Sequence, residues 1–136
     1  MTTIAWDGKR IAADGLSTCD GFVVATDDPK LFRRKGVVIG VAGDWASAVP
    51  MVEFIAGQRD FDSECKDITA LAIRNGKGVV YEGRKTPYPV KPPYAIGSGA
   101  CFALAAMEAG TDALKAVKVA CKLDTASGGK CRSMAT

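Results

Sequence analysis

The sequence contains no histidine among its 136 residues. Without an imidazole the chain has no Ser-His-Asp or Cys-His arrangement for nucleophilic catalysis, and it lacks the commonest metal ligand. The five cysteines are odd in number and include no C-x-x-C pair, which favours reduced thiols packed as small core residues. We therefore expect neither a metal site nor a cofactor.

The sequence also lacks a secretory leader and any apolar run near the roughly 20 residues that span a bilayer. The net charge is only +3. Lysines 115, 118 and 122 form a stripe at helical spacing, but no aromatic-rich or arginine-rich motif accompanies them, which argues against nucleic-acid binding. With 48% apolar and 24% charged residues, we expect one globular domain over 1–136, located in a bacterial or phage-infected cytoplasm.

Turn motifs and apolar periodicity predict strands, then a helix, further strands, two helices and a last strand. Asp7-Gly8 and Asn75-Gly76 are typical hairpin turns, and 84–94, with four prolines, is predicted to be an extended connector. The predicted strands are 2–6, 10–13, 22–25, 30–32, 37–42, 68–73, 79–82 and 130–135. This clustering favours an α+β domain in which helices cover antiparallel sheets.

Three helices are expected between these strands. The first is capped by Asp44 and stopped by Gly57, the second runs from Gly99 to about 109, and Thr111-Asp112 caps the third. The predicted buried face of the first helix comprises Trp45, Ala48, Val49, Val52 and Ala56. The predicted buried face of the third comprises Ala113, Ala116, Val117 and Ala120.

Thr2 directly follows the initiator methionine. Removal of a methionine before a small residue would free the α-amine of Thr2 beside its own hydroxyl. An α-amine titrates near pH ~8, so it can act as a general base in place of the missing imidazole. Many cytosolic proteins begin in this way, so the meaning of Thr2 depends on the residues that accompany it.

Three further residues have the types that a threonine nucleophile needs. Asp14 ends the first predicted hairpin beside Thr2, Lys30 lies between a turn and a strand, and Gly43 ends a buried strand. A carboxylate and an ammonium would lower the proton affinity of the hydroxyl, and a backbone N–H would stabilise an oxyanion. From pattern alone, however, a strand-ending aspartate, an exposed lysine and a turn glycine explain these residues at least as well.

Ser98 lies between two glycines at a strand-to-helix turn, and Asp124 and Ser127 lie in an Asp-x-x-Ser-Gly-Gly turn. These side chains would orient a free amine and a relay water. An ordinary helix cap explains Ser98 equally well, and a turn stabilised by its own side-chain hydrogen bonds explains the other two.

Taken together, these segments resemble the proteasome β-subunit family of N-terminal-nucleophile hydrolases, which includes the bacterial HslV-type protease. Six segments match in the family's order over nearly the whole chain. They are 2–5, 11–14 with the following Ser17-Thr18, Lys30, 41–43, 95–99 and 124–129.

The resemblance implies a four-layer αββα sandwich with a reduced helical layer. It also implies a threonine peptidase in which Thr2, exposed by removal of Met1, attacks the carbonyl while Gly43 stabilises the oxyanion. Lys30, paired with Asp14, would lower the proton affinity of the hydroxyl. The catalytic set implied by the resemblance is Thr2, Asp14, Lys30, Gly43, Ser98, Asp124 and Ser127.

The resemblance further implies the surroundings of the nucleophile. Val41 would form the base of a pocket of modest apolar or mixed preference, and the substrate would be a peptide or an unfolded protein. A homo-oligomeric ring and an ATPase unfoldase are the implied partners. The implied substrate-binding residues are Ser17, Thr18, Asp28, Val41 and Trp45.

The chain departs from the family in two respects that keep alternatives open. The loop between the first helix and the strand at 68 is short, so one helix usual at that place is shortened or absent. The number of subunits in a ring therefore cannot be inferred from the resemblance. The reduced size of the chain is compatible with a phage or prophage origin. The leader is Met1 alone, and a retained Met1 would block the amine. The alternatives are a non-catalytic assembly or scaffold subunit and a small-molecule amidase that uses the same centre.

Overall fold

A computed structural model describes residues 2–136 of the chain. The helices are α1 Ala48–Ile55, α2 Ala100–Glu108 and α3 Ala113–Leu123, and a 3-10 turn over Trp45–Ser47 precedes α1. The strands are β1 Thr3–Trp6, β2 Arg10–Ala13, β3 Ser17–Cys19, β4 Phe22–Ala25, β5 Leu31–Arg34, β6 Val37–Gly43, β7 Ile68–Arg74, β8 Lys77–Glu82, β9 Tyr88–Val90, β10 Tyr94–Gly97 and β11 Arg132–Ala135.

Over residues 2–136, these strands form two larger antiparallel sheets and a separate β3–β4 hairpin. The first sheet, sheet I, has the order β10-β1-β2-β11, and the second, sheet II, has the order β5-β6-β7-β8-β9. In sheet I, Ile4 lies opposite Ala13 on one side and Ile96 on the other. β1 is therefore a central strand, and its first residues lie beside the ends of β2 and β10.

The sheets stack face to face, and helices cover both outer faces. Side chains of both sheets alternate into a shared apolar core, among them Trp6, Ile11, Val38 and Leu71. α1 packs on the outer face of sheet II, whereas α2 and α3 pack on the outer face of sheet I. The predicted four-layer αββα sandwich is confirmed, and its reduced helical layer is the eight-residue α1.

Local sequence signals determine many of the turns and caps. Asn75 and Gly76 both have positive φ, as a two-residue hairpin turn of this type requires. The Asp7 carboxylate accepts hydrogen bonds from the backbone N–H groups of Lys9 and Arg10 in the first hairpin. Asp112 caps α3 through the N–H of Lys115.

The first helix differs from its prediction. Trp45 and Val49 were expected on the buried face, yet they are 47% and 51% exposed. Trp45 belongs to the 3-10 turn, which has about 3.0 residues per turn, so a helical face counted from Trp45 is out of phase with α1. The buried residues of α1 lie instead at i, i+3, i+4 and i+7, namely Ala48, Met51, Val52 and Ile55.

Three of the observed strands are absent from the predicted set. They are β3 Ser17–Cys19, β9 inside the proline-rich connector, and β10 Tyr94–Gly97, which the predicted strand-to-helix turn at Ser98 only implied. β9 pairs with β8 at the edge of sheet II, where a strand tolerates proline because one side of its backbone has no neighbour. No helix within 2–136 has the length and apolar character needed to cross a bilayer.

Candidate active site

Thr2 lies just before β1 and lines two adjoining clefts. The larger cleft has a volume of about 590 Å³ and the smaller one about 420 Å³. Ala42, Gly43 and Asp67 line both clefts together with Thr2. Thr2 itself is only 4% exposed, so its position is set by the surrounding chain rather than by solvent.

Asp14 connects the start of β1 to a lysine. Its Oδ1 accepts hydrogen bonds from Lys30 Nζ at 2.9 Å and from the backbone N–H of Thr3 at 3.0 Å. Its Oδ2 accepts the N–H of Gly128 at 3.0 Å. Because both oxygens are engaged, the carboxylate has a fixed orientation in a site from which water is excluded.

Lys30 reaches Asp14 from just before β5. The residue is 3% exposed, and Nζ also donates to the carbonyl oxygen of Leu16 at 2.6 Å. Lys30 lines the larger cleft together with Thr2. A buried ammonium at this place creates a positive potential that favours ionisation of a neighbouring hydroxyl.

A second carboxylate, Asp124, organises the hydroxyl groups on the other side of Thr2. Its Oδ2 accepts from Ser98 Oγ and from Ser127 Oγ, each at 2.6 Å. Each serine thereby uses its single proton, which leaves its oxygen as an acceptor. Ser98 Oγ then accepts the N–H of Thr2 at 3.2 Å, and Ser127 Oγ accepts the hydroxyl of Thr3 at 2.7 Å.

This arrangement affects the ionisation of Asp124. Partial burial acts to raise the pKa of the carboxyl, but the hydrogen bonds from Ser127, Ser98 and the N–H of Ala126 outweigh it and hold the pKa below its ordinary value. Asp124 therefore remains an anion at neutral pH and accepts both serine protons. Because Asp124 is an anion, both serine hydroxyls donate to it, and their oxygens accept from the Thr2 N–H and the Thr3 hydroxyl.

The main chain on the opposite wall is shaped by Gly43. This residue ends β6 at a φ of +120°, which favours glycine, and a Cβ there would collide with the carbonyl oxygen of Asp67. Gly97 behaves similarly on the other side, where a φ of +96° and the carbonyl oxygen of Thr2 exclude a side chain. Backbone thus approaches Thr2 closely at Gly97, whereas at Gly43 it approaches Asp67 on the wall of the clefts that Thr2 also lines.

The residues implied for substrate binding converge on the larger cleft. Val41 is buried there, and Asp28 is half-buried. All five implied residues are among those that line this cleft, namely Ser17, Thr18, Asp28, Val41 and Trp45. Ser98 lines the smaller cleft, whereas Asp124 and Ser127 are linked to the start of β1 through Ser98 and Thr3.

Sequence reasoning missed four contributors to the site. Thr3 supplies its N–H to Asp14 and its hydroxyl to Ser127, and Gly128 and Leu16 act through backbone groups. Asp67 lines both clefts. A buried polar residue in an otherwise apolar strand was the available signal for Thr3, whereas backbone donors leave no signature in side-chain pattern.

Within 2–136, no group of three or more His, Cys, Asp or Glu side chains is arranged to bind a metal ion. The carboxylates of Asp14 and Asp124 accept hydrogen bonds from donors of the protein. Hydroxyl, ammonium and carboxylate groups are thus the polar side-chain groups of this network.

No protein-family model matches the sequence, and no curated protein sequence matches it significantly. Solved structures do match. Eukaryotic HslV from Trypanosoma brucei superimposes with a TM-score of 0.77 at 21% identity, over 98% of this chain and 97% of that one. BPH from Thiobacillus denitrificans in complex with epoxomicin gives 0.76 at 17%, over 99% and 97%, and BPH alone gives 0.72 at 19%, over 99% and 96%. The chain thus has the fold shared by HslV and BPH, as the resemblance in its motifs predicted.

Proposed function

We propose that this protein is a threonine peptidase in which Thr2, exposed by removal of Met1, is the nucleophile. The observation that supports this most strongly is the convergence on Thr2 of a buried Asp14–Lys30 pair and a hydroxyl set ordered by Asp124. The structures with the same fold include a BPH complex with epoxomicin and HslV. Met1 lies outside the described residues.

Removal of Met1 converts the backbone nitrogen of Thr2 into a primary amine. In the proposed reaction this amine, directly or through a water, takes the hydroxyl proton while the Thr2 oxygen attacks the peptide carbonyl carbon. The Gly43 N–H stabilises the oxyanion, and the amine returns the proton to the leaving nitrogen. Water then attacks the ester, releases the acyl group and regenerates Thr2.

The two sides of the site have different tasks in this mechanism. Lys30 stabilises negative charge on the Thr2 oxygen, and Asp14 keeps the ammonium in place. On the other side, Asp124 accepts the hydrogen bond that the Ser98 hydroxyl donates, so Ser98 Oγ presents a lone pair to the Thr2 nitrogen. The amine is thereby oriented while its own lone pair remains available for the hydroxyl proton.

The larger cleft suggests which substrate side chain is preferred. Its lining includes the apolar Val41 and the carboxylates Asp28, Asp44 and Asp67, whereas its cation, Lys30, is already paired with Asp14. We therefore propose that the larger cleft has a mixed rather than a purely apolar preference. It would bind a substrate side chain with an apolar stem and a positively charged end, such as that of lysine or arginine. Matched fluorogenic peptides that differ only in this residue test the preference.

Assembly is a further part of the proposal. Phe22, Val23 and Val24 on the β3–β4 hairpin are each more than half exposed, and Val24 also lines the larger cleft. Burial of this apolar surface against another copy would stabilise a homo-oligomeric ring in the cytoplasm, which an ATPase unfoldase would supply with unfolded substrate. Light scattering coupled to gel filtration measures the mass of the assembly and hence the number of subunits. The phage origin of the chain stays a prediction.

Peptide hydrolysis by single-site variants tests the activity. We expect Thr2→Ala to lower kcat by ~10³-fold or more, because the attacking oxygen is lost, and Thr2→Ser to retain measurable turnover. Circular dichroism checks that both variants fold. Full activity of Thr2→Ala would refute the proposal. An active site that hydrolyses small amides alone would identify the amidase, and a protein that keeps Met1 and cleaves nothing would identify the scaffold.

A further inference from the structure

Two cysteines that line neither cleft lie in direct contact. The sulfur atoms of Cys121 and Cys131 are 3.9 Å apart. Cys121 lies in the last turn of α3, and Cys131 immediately precedes β11. Both are half-buried against the apolar cluster between sheet I and its two helices, whereas Cys19 and Cys101 are exposed and Cys65 is buried elsewhere.

This cysteine pair encloses the turn that organises the proposed active site. Asp124, Ser127 and Gly128 all lie between Cys121 and Cys131 in the sequence. Through Asp124 and Ser127 the turn contacts Ser98 and Thr3, and through the N–H of Gly128 it contacts Asp14. A covalent bond between the two sulfurs would therefore close a ring around three groups of the site.

We propose that Cys121 and Cys131 are a reversible oxidation site that forms an intramolecular disulfide when the protein meets a peroxide. The Cys131 thiolate attacks one peroxide oxygen and becomes a sulfenic acid as hydroxide leaves. The Cys121 sulfur then attacks the Cys131 sulfur, the S–S bond forms, and water leaves. Overall, two thiols lose two electrons and two protons, and hydrogen peroxide is reduced to two waters.

The order of the two steps is assigned from the burial of Cys121. Burial, followed by the neighbouring Cys131, raises the pKa of Cys121 to about 12, so Cys121 stays protonated at neutral pH. A protonated thiol is a poor nucleophile, so the first attack on the peroxide is assigned to Cys131. The Cys121 sulfur is then in reach for the second step, because the two sulfurs are 3.9 Å apart.

Disulfide formation has a structural consequence. The sulfurs must approach from 3.9 Å to about 2.05 Å, which draws the two ends of the turn together. The hydrogen bonds that the turn makes with Ser98 and Thr3 are 2.6 and 2.7 Å long, so a displacement of the turn would lengthen and weaken them. We expect the oxidised protein to hydrolyse peptide more slowly than the reduced one, an effect that rests on the proposed function.

Intact-mass spectrometry of the full chain tests the disulfide without requiring activity. Treatment with hydrogen peroxide should lower the mass of the monomer by that of two hydrogen atoms, and a non-reducing peptide map should join the peptides that contain Cys121 and Cys131. Cys131→Ser should abolish this change, whereas Cys101→Ser, at an exposed position, should not. A parent protein with no disulfide, or with one between other cysteines, would overturn the proposal.

Peptide hydrolysis tests the link to the active site. The reduced forms of the parent, Cys121→Ser and Cys131→Ser should hydrolyse peptide equally, which also shows that the variants fold. Peroxide should slow the parent several-fold, dithiothreitol should restore it, and Cys131→Ser should not respond. A mapped Cys121–Cys131 disulfide with unchanged hydrolysis would refute the effect on the site, whereas inactivity of all reduced proteins would refute the proposed function and leave the disulfide result standing.

Discussion

The two carboxylates beside Thr2 are held in contrasting ways. Asp14 is almost fully buried and contacts an ammonium and two backbone N–H groups. Asp124 is half-buried, and its Oδ2 contacts two serine hydroxyls. The first side of the site consists of a buried charge pair, and the second consists of hydroxyl groups, of which Ser98 is exposed and Ser127 is buried.

The two sides are expected to contribute differently: the buried ion pair to the stability of the fold, and the hydroxyl groups to the direction of the hydrogen bonds around Thr2. A buried ion pair is costly to break, because removal of one partner leaves the other charge without compensation in a medium of low dielectric constant. Hydroxyl groups near water are cheaper to lose, but their proton directions decide which atoms donate and which accept. We therefore expect substitutions on the Asp14 side to affect stability and activity together, and loss of the exposed Ser98 hydroxyl to affect activity alone.

The largest effect is expected from Lys30→Met, which keeps the length of the side chain and removes its charge. Asp14 would lose its ammonium partner and keep only backbone N–H donors, so we expect a loss of about 3 kcal/mol in the free energy of unfolding and a fall in kcat of ~10²-fold or more. Urea titration and peptide hydrolysis measure the two quantities. Lys118→Met, an exposed lysine on α3, is the control. Wild-type stability of Lys30→Met would contradict the proposed importance of the buried pair.

Gly43→Ala tests whether backbone on the opposite wall matters as much as either carboxylate. The new Cβ would collide with the Asp67 carbonyl oxygen and displace the proposed oxyanion donor, so we expect kcat to fall by ~10²-fold. Gly36→Ala is a matched control, because Gly36 also has positive φ but a Cβ there meets nothing within 4 Å. Equal activity of the two variants would remove Gly43 from the mechanism.

Asp124→Asn is expected to lower kcat by ~10-fold, because the new NH2 group would face either the two serine hydroxyls or the N–H of Ala126, all of which donate to the carboxylate. It should also change the response of stability to pH. Since the folded pKa of Asp124 lies below its unfolded value, its contribution is complete above about pH 4 and is lost as pH falls through the folded pKa. The difference in unfolding free energy between the parent and the Asp124→Asn variant, measured by urea titration from pH 7 to pH 3, should therefore shrink at the acid end. A constant difference would contradict the lowered pKa.

The smallest effects should distinguish the two serines. Ser98→Ala removes an exposed hydroxyl, so we expect a few-fold fall in kcat with unchanged stability. Ser127 is 5% exposed and accepts the Thr3 hydroxyl, so Ser127→Ala should cost about 1–2 kcal/mol in the free energy of unfolding. Thermal unfolding and hydrolysis assays of both variants make the comparison. Equal stability losses would show that burial does not separate the two positions.

The sequence predicted those parts of the molecule that depend on neighbouring residues. The hairpin at Asn75-Gly76, the cap at Asp112 and the buried face of α3 all follow from turn chemistry and helical periodicity. β3 was missed because its three residues give too little alternation to identify a strand. The face of α1 was misjudged because the sequence does not reveal that a 3-10 turn precedes it.

The sequence predicted which residues lie together at the candidate site, but not the hydrogen bonds that connect them. Motif order placed Thr2, Asp14 and Lys30 together, and the structure brings them to one end of sheet I. The bond from Gly128 to Asp14 joins positions 114 residues apart through a backbone N–H, and any residue except proline has that donor. Such contacts come from the stacking of β1, β2 and the turn that precedes β11, which no local pattern specifies.

Intact-mass spectrometry with an epoxyketone probe tests the central claim most directly, since it examines the nucleophile and its amine in one experiment. The account predicts a protein that lacks Met1 and gains one probe molecule, with the modified residue mapped to Thr2 and no adduct on Thr2→Ala. Binding of the probe elsewhere in a protein that lacks Met1, or an adduct that persists on Thr2→Ala, would contradict the assignment of Thr2 as the nucleophile.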